Sequence, residues 1–247
     1  MADPDALSLE KDRAARAAVR RVRPGMRVVL GTGTTAAYAI RALAQRFSSG
    51  PGIEAVASSG MSETLAREHG LAVRSLAPDD RFDILIDGAD EVTPHLDLTK
   101  GGGGALFREK YLARLADEVV IVVDHTKLVD RLGRRAPLPV EVVPFARPVV
   151  ARQLGERRYG VRLRTAPDGA PFRTENGNEI LDLTPPAPLD APAAVESELR
   201  GVPGVVETGL FVGLVHRVFV GLPDDTVEEL ERPAAASSPA PSRAPAR

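Results

Sequence analysis

Short apolar runs alternate with amphipathic segments along the first half of the chain. The strand-like runs cover residues 26–30, 53–57, 72–76, 82–86 and 119–123. Helix-like spacing begins after Asp3-Pro4 and recurs between the runs, with apolar positions at Leu7, Ala15, Ala18 and Val22, then Ala37, Ile40, Leu43 and Ala44, and a further helix over 62–69. Strands that alternate with helices are typical of a parallel sheet covered by helices. The pattern predicts an α/β fold with a Rossmann-like parallel sheet.

The pattern changes after Leu132. Residues 134–148 are rich in proline and contain one short strand-like run, Val140 to Val143. A helix near 148–155, strands near 160–164 and 179–183, and a helix over 191–200 follow. This β-α-β-β-α order predicts a small inserted α+β domain of ferredoxin-like type.

The last part of the chain divides into two kinds of sequence. Residues 209–220 are again apolar and strand-like. Residues 233–247 read PAAASSPAPSRAPAR and have no aliphatic side chain larger than alanine, so they cannot bury enough surface to offset the entropy of ordering. We expect that tail to be disordered.

Composition narrows the possible partners. The 247 residues carry 32 Lys+Arg against 34 Asp+Glu, a net charge of −2, which argues against a surface that binds nucleic acid. Cysteine is absent, so disulfides, thiolate metal sites and a cysteine nucleophile are excluded. Met1 to Pro4 lacks the features of a signal peptide, and no apolar run approaches membrane-spanning length. We expect a cytoplasmic protein without membrane partners.

The segment 83–110, DILIDGADEVTPHLDLTKGGGGALFREK, concentrates the candidate chemistry. A buried strand ends in two carboxylates, Asp87 and Asp90, and Lys100 precedes four glycines. Glu109 follows in the first turns of a predicted helix. Ligands of open α/β sheets bind at the carboxyl ends of the strands, and glycines let a ligand approach the backbone N–H groups. The whole set predicts a site for a small anionic substrate, although Asp90 or Glu109 alone would fit a solvated surface charge.

A second glycine loop, Gly31-Thr32-Gly33-Thr34-Thr35-Ala36, follows the first strand. It fits the dinucleotide fingerprint G-x-G-x-x-G/A, which also expects an acid at the end of the second strand. That strand ends instead in Ser58-Ser59, with Glu54 at its start. The three threonine hydroxyls favour a terminal phosphate over NAD, and a purely structural turn would explain the glycines but not the threonines.

These motifs resemble those of ribose-5-phosphate isomerases of the A type. The family shows Asp-Gly-Ala-Asp-Glu, Lys-Gly-Gly-Gly and Arg-Glu-Lys, which stand here at 87–91, 100–103 and 108–110. Further matches run in family order at 31–36, 124–127, 137–144, 174–178 and 201–206. Two small departures are Thr34-Thr35 in place of Ser-Thr and Glu175 in place of the common Asp.

The resemblance implies an enzyme of the non-oxidative pentose phosphate pathway that interconverts D-ribose 5-phosphate and D-ribulose 5-phosphate through an enediol(ate). It implies that Glu109 is the carbon base, that Lys100 stabilises the enediolate, and that Asp87 and Asp90 handle hydroxyl groups. The implied substrate-binding residues are Lys11, Thr32, Gly33, Thr34, Thr35, Gly88, Ala89, Gly101, Gly102, Gly103 and Lys127. It also implies a catalytic domain of residues 1–132 plus 208–232, an inserted domain of residues 133–207 and a homodimer.

Several alternatives remain open on the sequence. An NAD-dependent dehydrogenase is disfavoured by the missing ribose-binding acid, and a non-catalytic sugar-phosphate sensor by the presence of Asp87, Lys100 and Glu109. A related isomerase or deaminase that acts on another sugar phosphate is the nearest alternative. His95 with Asp90 and Asp97 has no spacing typical of metal ligands, so we expect neither a metal nor a cofactor.

Overall fold

A computed structural model describes residues 4–47 and 52–232. The six α-helices within those ranges are α1 (Pro4–Val19), α2 (Thr34–Phe47), α3 (Gly60–Glu68), α4 (Leu106–Ala113), α5 (Arg147–Glu156) and α6 (Pro192–Arg200). The thirteen strands there are β1 (Arg27–Leu30), β2 (Glu54–Ala57), β3 (Phe82–Asp87), β4 (Glu91–Val92), β5 (Leu98–Thr99), β6 (Ala116–Asp124), β7 (Leu138–Val142), β8 (Gly160–Leu163), β9 (Glu179–Thr184), β10 (Val205–Thr208), β11 (Leu210–Phe211), β12 (Arg217–Gly221) and β13 (Val227–Glu231). The tail predicted to be disordered, 233–247, lies outside the described residues.

The largest sheet has the strand order β13-β12-β6-β3-β1-β2. Its strands run parallel except for β13, which pairs antiparallel with β12 at one edge. The chain passes from β1 outward to β2 and then returns to the other side of β1 as β3. Such a reversal leaves a crevice at the carboxyl ends of the two inner strands, where α/β proteins bind ligands. The predicted α/β fold with a parallel sheet is confirmed.

Both faces of this sheet are covered, which explains why its strands read as continuous apolar runs. In β3, Ile84 and Ile86 point into a core that includes buried residues of α1 and α2. Leu85 points the opposite way, into a core that includes Leu112 of α4. None of the helices in the described ranges is long and apolar enough to cross a membrane.

Residues 138–208 form a second sheet with its own helices, here called the four-stranded module. Its strand order is β10-β7-β9-β8, and every neighbouring pair is antiparallel. With α5 and α6 the module has the β-α-β-β-α-β order of the predicted ferredoxin-like type. The last strand, β10, was absent from the sequence pattern. The exact domain boundaries, 133 and 207, stay a prediction.

Two strand predictions were wrong in detail. The predicted strand 72–76 is only a single bridge between Ala55 and Val73. Beyond this bridge, the guanidinium of Arg74 binds both carboxylate oxygens of Asp80, each at 2.7 Å. The apolar run 209–220 divides into β11, which joins a small sheet with β5 and β4, and β12 of the large sheet.

Candidate active site

The carboxyl ends of β1 and β3 bring Gly31 and Asp87 into direct contact. Gly31 donates its N–H to Ile86 O at 2.9 Å, and a Cβ on Gly31 would lie 2.2 Å from Asp87 Cγ. Only glycine therefore fits beside this carboxylate. Asp87 is fully buried, and its Oδ1 accepts N–H bonds from Thr32 at 3.0 Å and Gly88 at 2.7 Å. These bonds fix the carboxylate at the base of the crevice.

Lys100 follows β5 and projects into the same crevice, where it is 3% exposed. Its Nζ lies 2.8 Å from Asp87 Oδ2 and 3.4 Å from Glu109 Oε1, and it donates to Gly88 O at 2.6 Å. Burial alone lowers the pKa of Lys100, but the charges of Asp87 and Glu109 outweigh burial and raise it. The lysine is therefore a fixed positive charge.

Glu109 lies in α4 and is also 3% exposed. One carboxylate oxygen faces Lys100, while Oε2 is buried and has no hydrogen-bond partner among the described residues. The pKa of Glu109 is raised to about 8, chiefly by burial. The charges of Asp87 and Asp90 add to this rise, and the charge of Lys100 offsets part of it. A carboxylate with a raised pKa and a free oxygen is suited to accept a proton near neutral pH.

The glycine run that follows Lys100 is held by Asp90. Asp90 Oδ2 accepts the N–H of Gly102 at 3.0 Å, and a Cβ on Gly102 would lie 3.0 Å from Asp90 Oδ1. Gly101 has a φ of +107°, a conformation that side chains disfavour. The run thus forms a wall of bare backbone opposite the threonine loop.

A cleft of about 810 Å³ lies between these elements. The predicted site residues on its walls are Thr32, Gly33, Thr34, Thr35, Gly88, Ala89, Asp90, Lys100, Gly101, Gly102, Gly103, Glu109 and Lys127. The loop from Thr32 leads into the N-terminus of α2, where free N–H groups and the helix dipole favour an anion. The cleft thus combines acids and a lysine with an anion-binding helix start.

Two predicted residues do not line the cleft. Asp87 is fully buried at the base of the crevice, 2.8 Å from Lys100, which does line the cleft. Lys11 in α1 pairs with Asp124 at 3.6 Å, beside the 3-10 turn that carries Lys127.

A cluster of hydroxyl groups supports the threonine loop, and the sequence reasoning missed it. Thr32 Oγ1 lies 2.7 Å from Ser58 Oγ and 2.8 Å from Ser59 Oγ. Ser62 Oγ donates to Gly31 O at 2.6 Å and lies 3.0 Å from Ser59 Oγ. The only signal in the sequence was that Ser58-Ser59 ends β2 where a dinucleotide site would place an acid.

No group of His, Cys, Asp or Glu within residues 4–47 and 52–232 is arranged to hold a metal ion. His95 is exposed in its loop. His125 instead contacts Glu10, with Nδ1 2.7 Å from Glu10 Oε2.

Fold and site together define an α/β enzyme that moves protons on a small anionic substrate. The sequence model of ribose 5-phosphate isomerase A (phosphoriboisomerase A) matches residues 54–225. The chain belongs to this family, whose members interconvert ribose 5-phosphate and ribulose 5-phosphate. That membership favours the isomerase over the dehydrogenase, sensor and deaminase alternatives.

Curated relatives and solved structures agree with the family. Ribose-5-phosphate isomerase A of Deinococcus radiodurans is 48% identical over 92% of this chain and 100% of its own length. A solved ribose-5-phosphate isomerase in complex with phospho-erythronic acid is 38% identical, with a TM-score of 0.86 over 90% of this chain and 98% of that one. The Methanocaldococcus jannaschii enzyme is 37% identical with a TM-score of 0.84, over 90% of this chain and 98% of that one.

Proposed function

We propose that this chain isomerises D-ribose 5-phosphate and that Glu109 moves the proton between C2 and C1. The observation that carries the proposal is the position of Glu109, buried on the cleft wall with one oxygen facing Lys100 and the other unbonded among the described residues. A base of this kind typically contributes about 10²–10⁴-fold to a rate.

The proposed reaction starts from the open-chain aldose. Glu109 takes the proton from C2, the electron pair of that C–H bond forms a C1=C2 double bond, and the electrons of the C1 carbonyl move onto O1. Lys100 stands ready to stabilise that oxyanion, because a preorganised charge in a dry site stabilises developing charge strongly. A proton then passes from O2 to O1, C2 becomes the carbonyl, and Glu109 returns its proton to C1.

Asp87 and Asp90 are assigned to the hydroxyl protons. Asp87 contacts Lys100 at 2.8 Å and Asp90 lies on the cleft wall. We assign the transfer between O1 and O2, and assistance to ring opening, to Asp87. Asp90 orders the glycine run and faces the sugar hydroxyls. No step of this scheme needs a redox cofactor or a metal.

The phosphate is proposed to bind at the threonine loop and the start of α2. Thr34 and Thr35 lie on the cleft wall in that region, and Lys127 lines the same cleft. Lys11 pairs with Asp124 at 3.6 Å, next to the turn that carries Lys127. Lys11 would add its charge to the phosphate site if it left that pair. The phospho-erythronic acid bound by the similar solved enzyme supports the choice of a phosphorylated four- or five-carbon ligand.

The decisive experiment is a turnover assay in heavy water. Purified chain incubated with ribose 5-phosphate should form the ketose and incorporate solvent deuterium at the carbon that gains the proton. The Glu109→Gln variant should lose both signals. Ketose formation that stops on treatment with EDTA and returns with a divalent metal would contradict the proposed scheme.

We also propose that the enzyme is a homodimer, as the family resemblance implies, and that it acts in the cytoplasm. Phe145 is 96% exposed and Val149 51% exposed on neighbouring parts of the four-stranded module, which supports contact with a second copy. Sedimentation equilibrium measures the mass in solution, and cell fractionation measures the location. A monomer at micromolar concentration would remove the dimer proposal.

A further inference from the structure

Helix α4, which carries Glu109, is too short to hold its orientation without contacts to the rest of the fold. It has eight residues, and its N-cap residue Ala105 makes no side-chain capping bond. Helices this short are marginal in isolation and take their stability from tertiary packing. The orientation of Glu109 therefore depends on the core packing of Leu106 and Leu112 and on what holds its two neighbours, Arg108 and Lys110.

Lys110 is held from the four-stranded module. It is 1% exposed, and its Nζ donates to Glu196 Oε1 at 2.6 Å and to Glu207 Oε1 at 2.8 Å. The ring of Phe211 lies 5.1 Å from the same ammonium. A buried charge needs such partners, and removing one leaves an uncompensated charge. This contact fixes one side of α4 to α6 and β10.

Arg108 is held by a different part of the same module. Its guanidinium pairs with the carboxylate of Glu175, and its Nε donates to Asn176 Oδ1 at 3.1 Å. Glu175 also accepts the N–H of Gly60, the first residue of α3, at 2.7 Å. Thus one turn of the module binds both α3 and α4 at the edge of the cleft.

That turn is itself rigid. Buried Glu141 of β7 uses one oxygen, Oε1, to accept bonds from Thr174 Oγ1 at 3.0 Å, Asn176 Nδ2 at 3.2 Å and Asn178 Nδ2 at 2.8 Å. Gly177 has a φ of +80°, which closes the turn. The Arg108 contact is therefore made to a fixed point rather than to a loose loop.

We propose that Arg108 and Lys110 are positioning residues through which the four-stranded module holds Glu109 at the cleft. Successive residues of an α-helix point about 100° apart, so the two cations leave the helix on either side of Glu109. The proposal rests on the role of Glu109 as the base and explains why that acid is flanked by two cations. It gives the module a part in catalysis without contact with the substrate.

The test compares two glutamates on the same helix, α6. Glu196 binds Lys110, whereas Glu198 pairs at 2.9 Å with Arg157, the residue that follows α5. Glu196→Gln should lower kcat roughly tenfold with little change in KM, since displacing a catalytic group by about 1 Å can cost about 10²-fold. Glu198→Gln should behave as wild type. Arg108 is 38% exposed, so Arg108→Gln leaves the buried contacts of Lys110 with Glu196 and Glu207 intact. It should lower kcat as Glu196→Gln does.

The pH profile separates positioning from a general loss of structure. The groups that face Glu109 are Lys100, Asp87 and Asp90, and they remain in every variant. If α4 shifts, Glu109 gains solvent, and the acid limb of kcat/KM should move to lower pH in Glu196→Gln and Arg108→Gln.

The outcomes distinguish this proposal from the proposed function. If both variants match Glu198→Gln in kcat and in pH profile while Glu109→Gln is inactive, the positioning role is wrong and the base assignment stands. A lower kcat that only follows a lower melting temperature, with the profile unmoved, also overturns it. If Glu109→Gln retains kcat within tenfold of wild type, the base assignment fails and the positioning role fails with it.

Discussion

Lys100 Nζ lies 2.8 Å from Asp87 but 3.4 Å from Glu109, so the two carboxylates share one ammonium unequally. Asp87 takes the closer contact and holds the lysine in place. Glu109 lies farther from the ammonium and interacts with it more weakly, so burial has the larger effect and raises the pKa of Glu109 to about 8. Burial of Glu109 thus outweighs its share of the lysine charge.

The first prediction concerns the pH dependence of catalysis. Glu109 must be deprotonated to accept the C2 proton, and its pKa in the free enzyme is about 8. We expect kcat/KM to rise with pH and to approach its plateau only above that value. Initial rates between pH 5 and 10 measure this limb. A limb centred near the ordinary carboxylate value of 4.5 would contradict the predicted burial effect.

The second prediction concerns the effect of Asp90 on the acid limb of kcat/KM. The charge of Asp90 raises the pKa of Glu109, so Asp90→Asn should lower it and move the acid limb of kcat/KM to lower pH. The rate itself should also fall, because Asp90 binds Gly102 and lines the cleft. Asp97→Asn, in a loop outside the cleft, is the matched control. An unshifted acid limb in Asp90→Asn would mean that solvent screens the charge of Asp90 from Glu109.

The third prediction separates catalysis from stability at Glu109. Glu109→Gln should lower kcat by about 10²–10⁴-fold and leave KM nearly unchanged. Because the folded pKa, about 8, exceeds the ordinary value of 4.5, the folded state retains a proton that the unfolded state loses, and wild-type stability falls as pH rises between those values. The melting temperature of the variant relative to wild type should therefore increase from pH 5 to pH 8. A constant difference would show that Glu109 titrates normally.

The fourth prediction concerns the two threonines of the loop. Thr35→Val should raise KM for ribose 5-phosphate more than it lowers kcat, the pattern of lost uniform binding. Thr32→Val should instead cost about 1–3 kcal/mol of stability, since Ser58 and Ser59 then lose a buried partner at 2.7 and 2.8 Å. Kinetics and urea unfolding of both variants give the comparison. Free ribose as good a substrate as its phosphate would disprove the loop assignment.

The fifth prediction uses the contact between Gly31 and Asp87. In Gly31→Ala the new methyl group would lie 2.2 Å from Asp87 Cγ, so the carboxylate has to move away from Lys100. We expect severe loss of kcat. Gly33→Ala, where a Cβ meets nothing within 4 Å but φ is +105°, tests backbone strain without that collision. Near-normal turnover in Gly31→Ala would show that displacement of Asp87 does not impair catalysis.

The pattern of apolar and polar residues was sufficient to predict much of the fold. The run Ile84 to Ile86, buried on both faces, predicted β3 and placed Asp87 at its carboxyl end. The same pattern failed at 72–76, where the structure has only a single bridge at Val73 and Arg74 contacts Asp80. Apolar periodicity does not record such side-chain contacts.

The missed parts of the site depend on contacts between distant residues. Thr32 meets Ser58, 26 positions later, and nothing in the spacing of hydroxyl residues indicates that pair. Lys110 stands in the Arg-Glu-Lys motif, but nothing in the sequence indicates that it is 1% exposed and bound by two carboxylates of the module. The resemblance to a family placed the reacting acids, whereas their supporting contacts required the fold.

The partners of Lys110 stand 86 and 97 positions later in the chain. On the ribosome, the segment that carries Glu109 therefore emerges long before the residues that hold it. Strand β12, which pairs with β6 in the large sheet, follows later still. A nascent chain that ends near residue 190 would contain every reacting group of the proposed mechanism, but α4 would lack its ties to Glu196 and Glu207. On the proposed mechanism, the catalytic geometry is thus among the last features that synthesis completes, and we expect a chain that ends near residue 190 to be inactive rather than partly active.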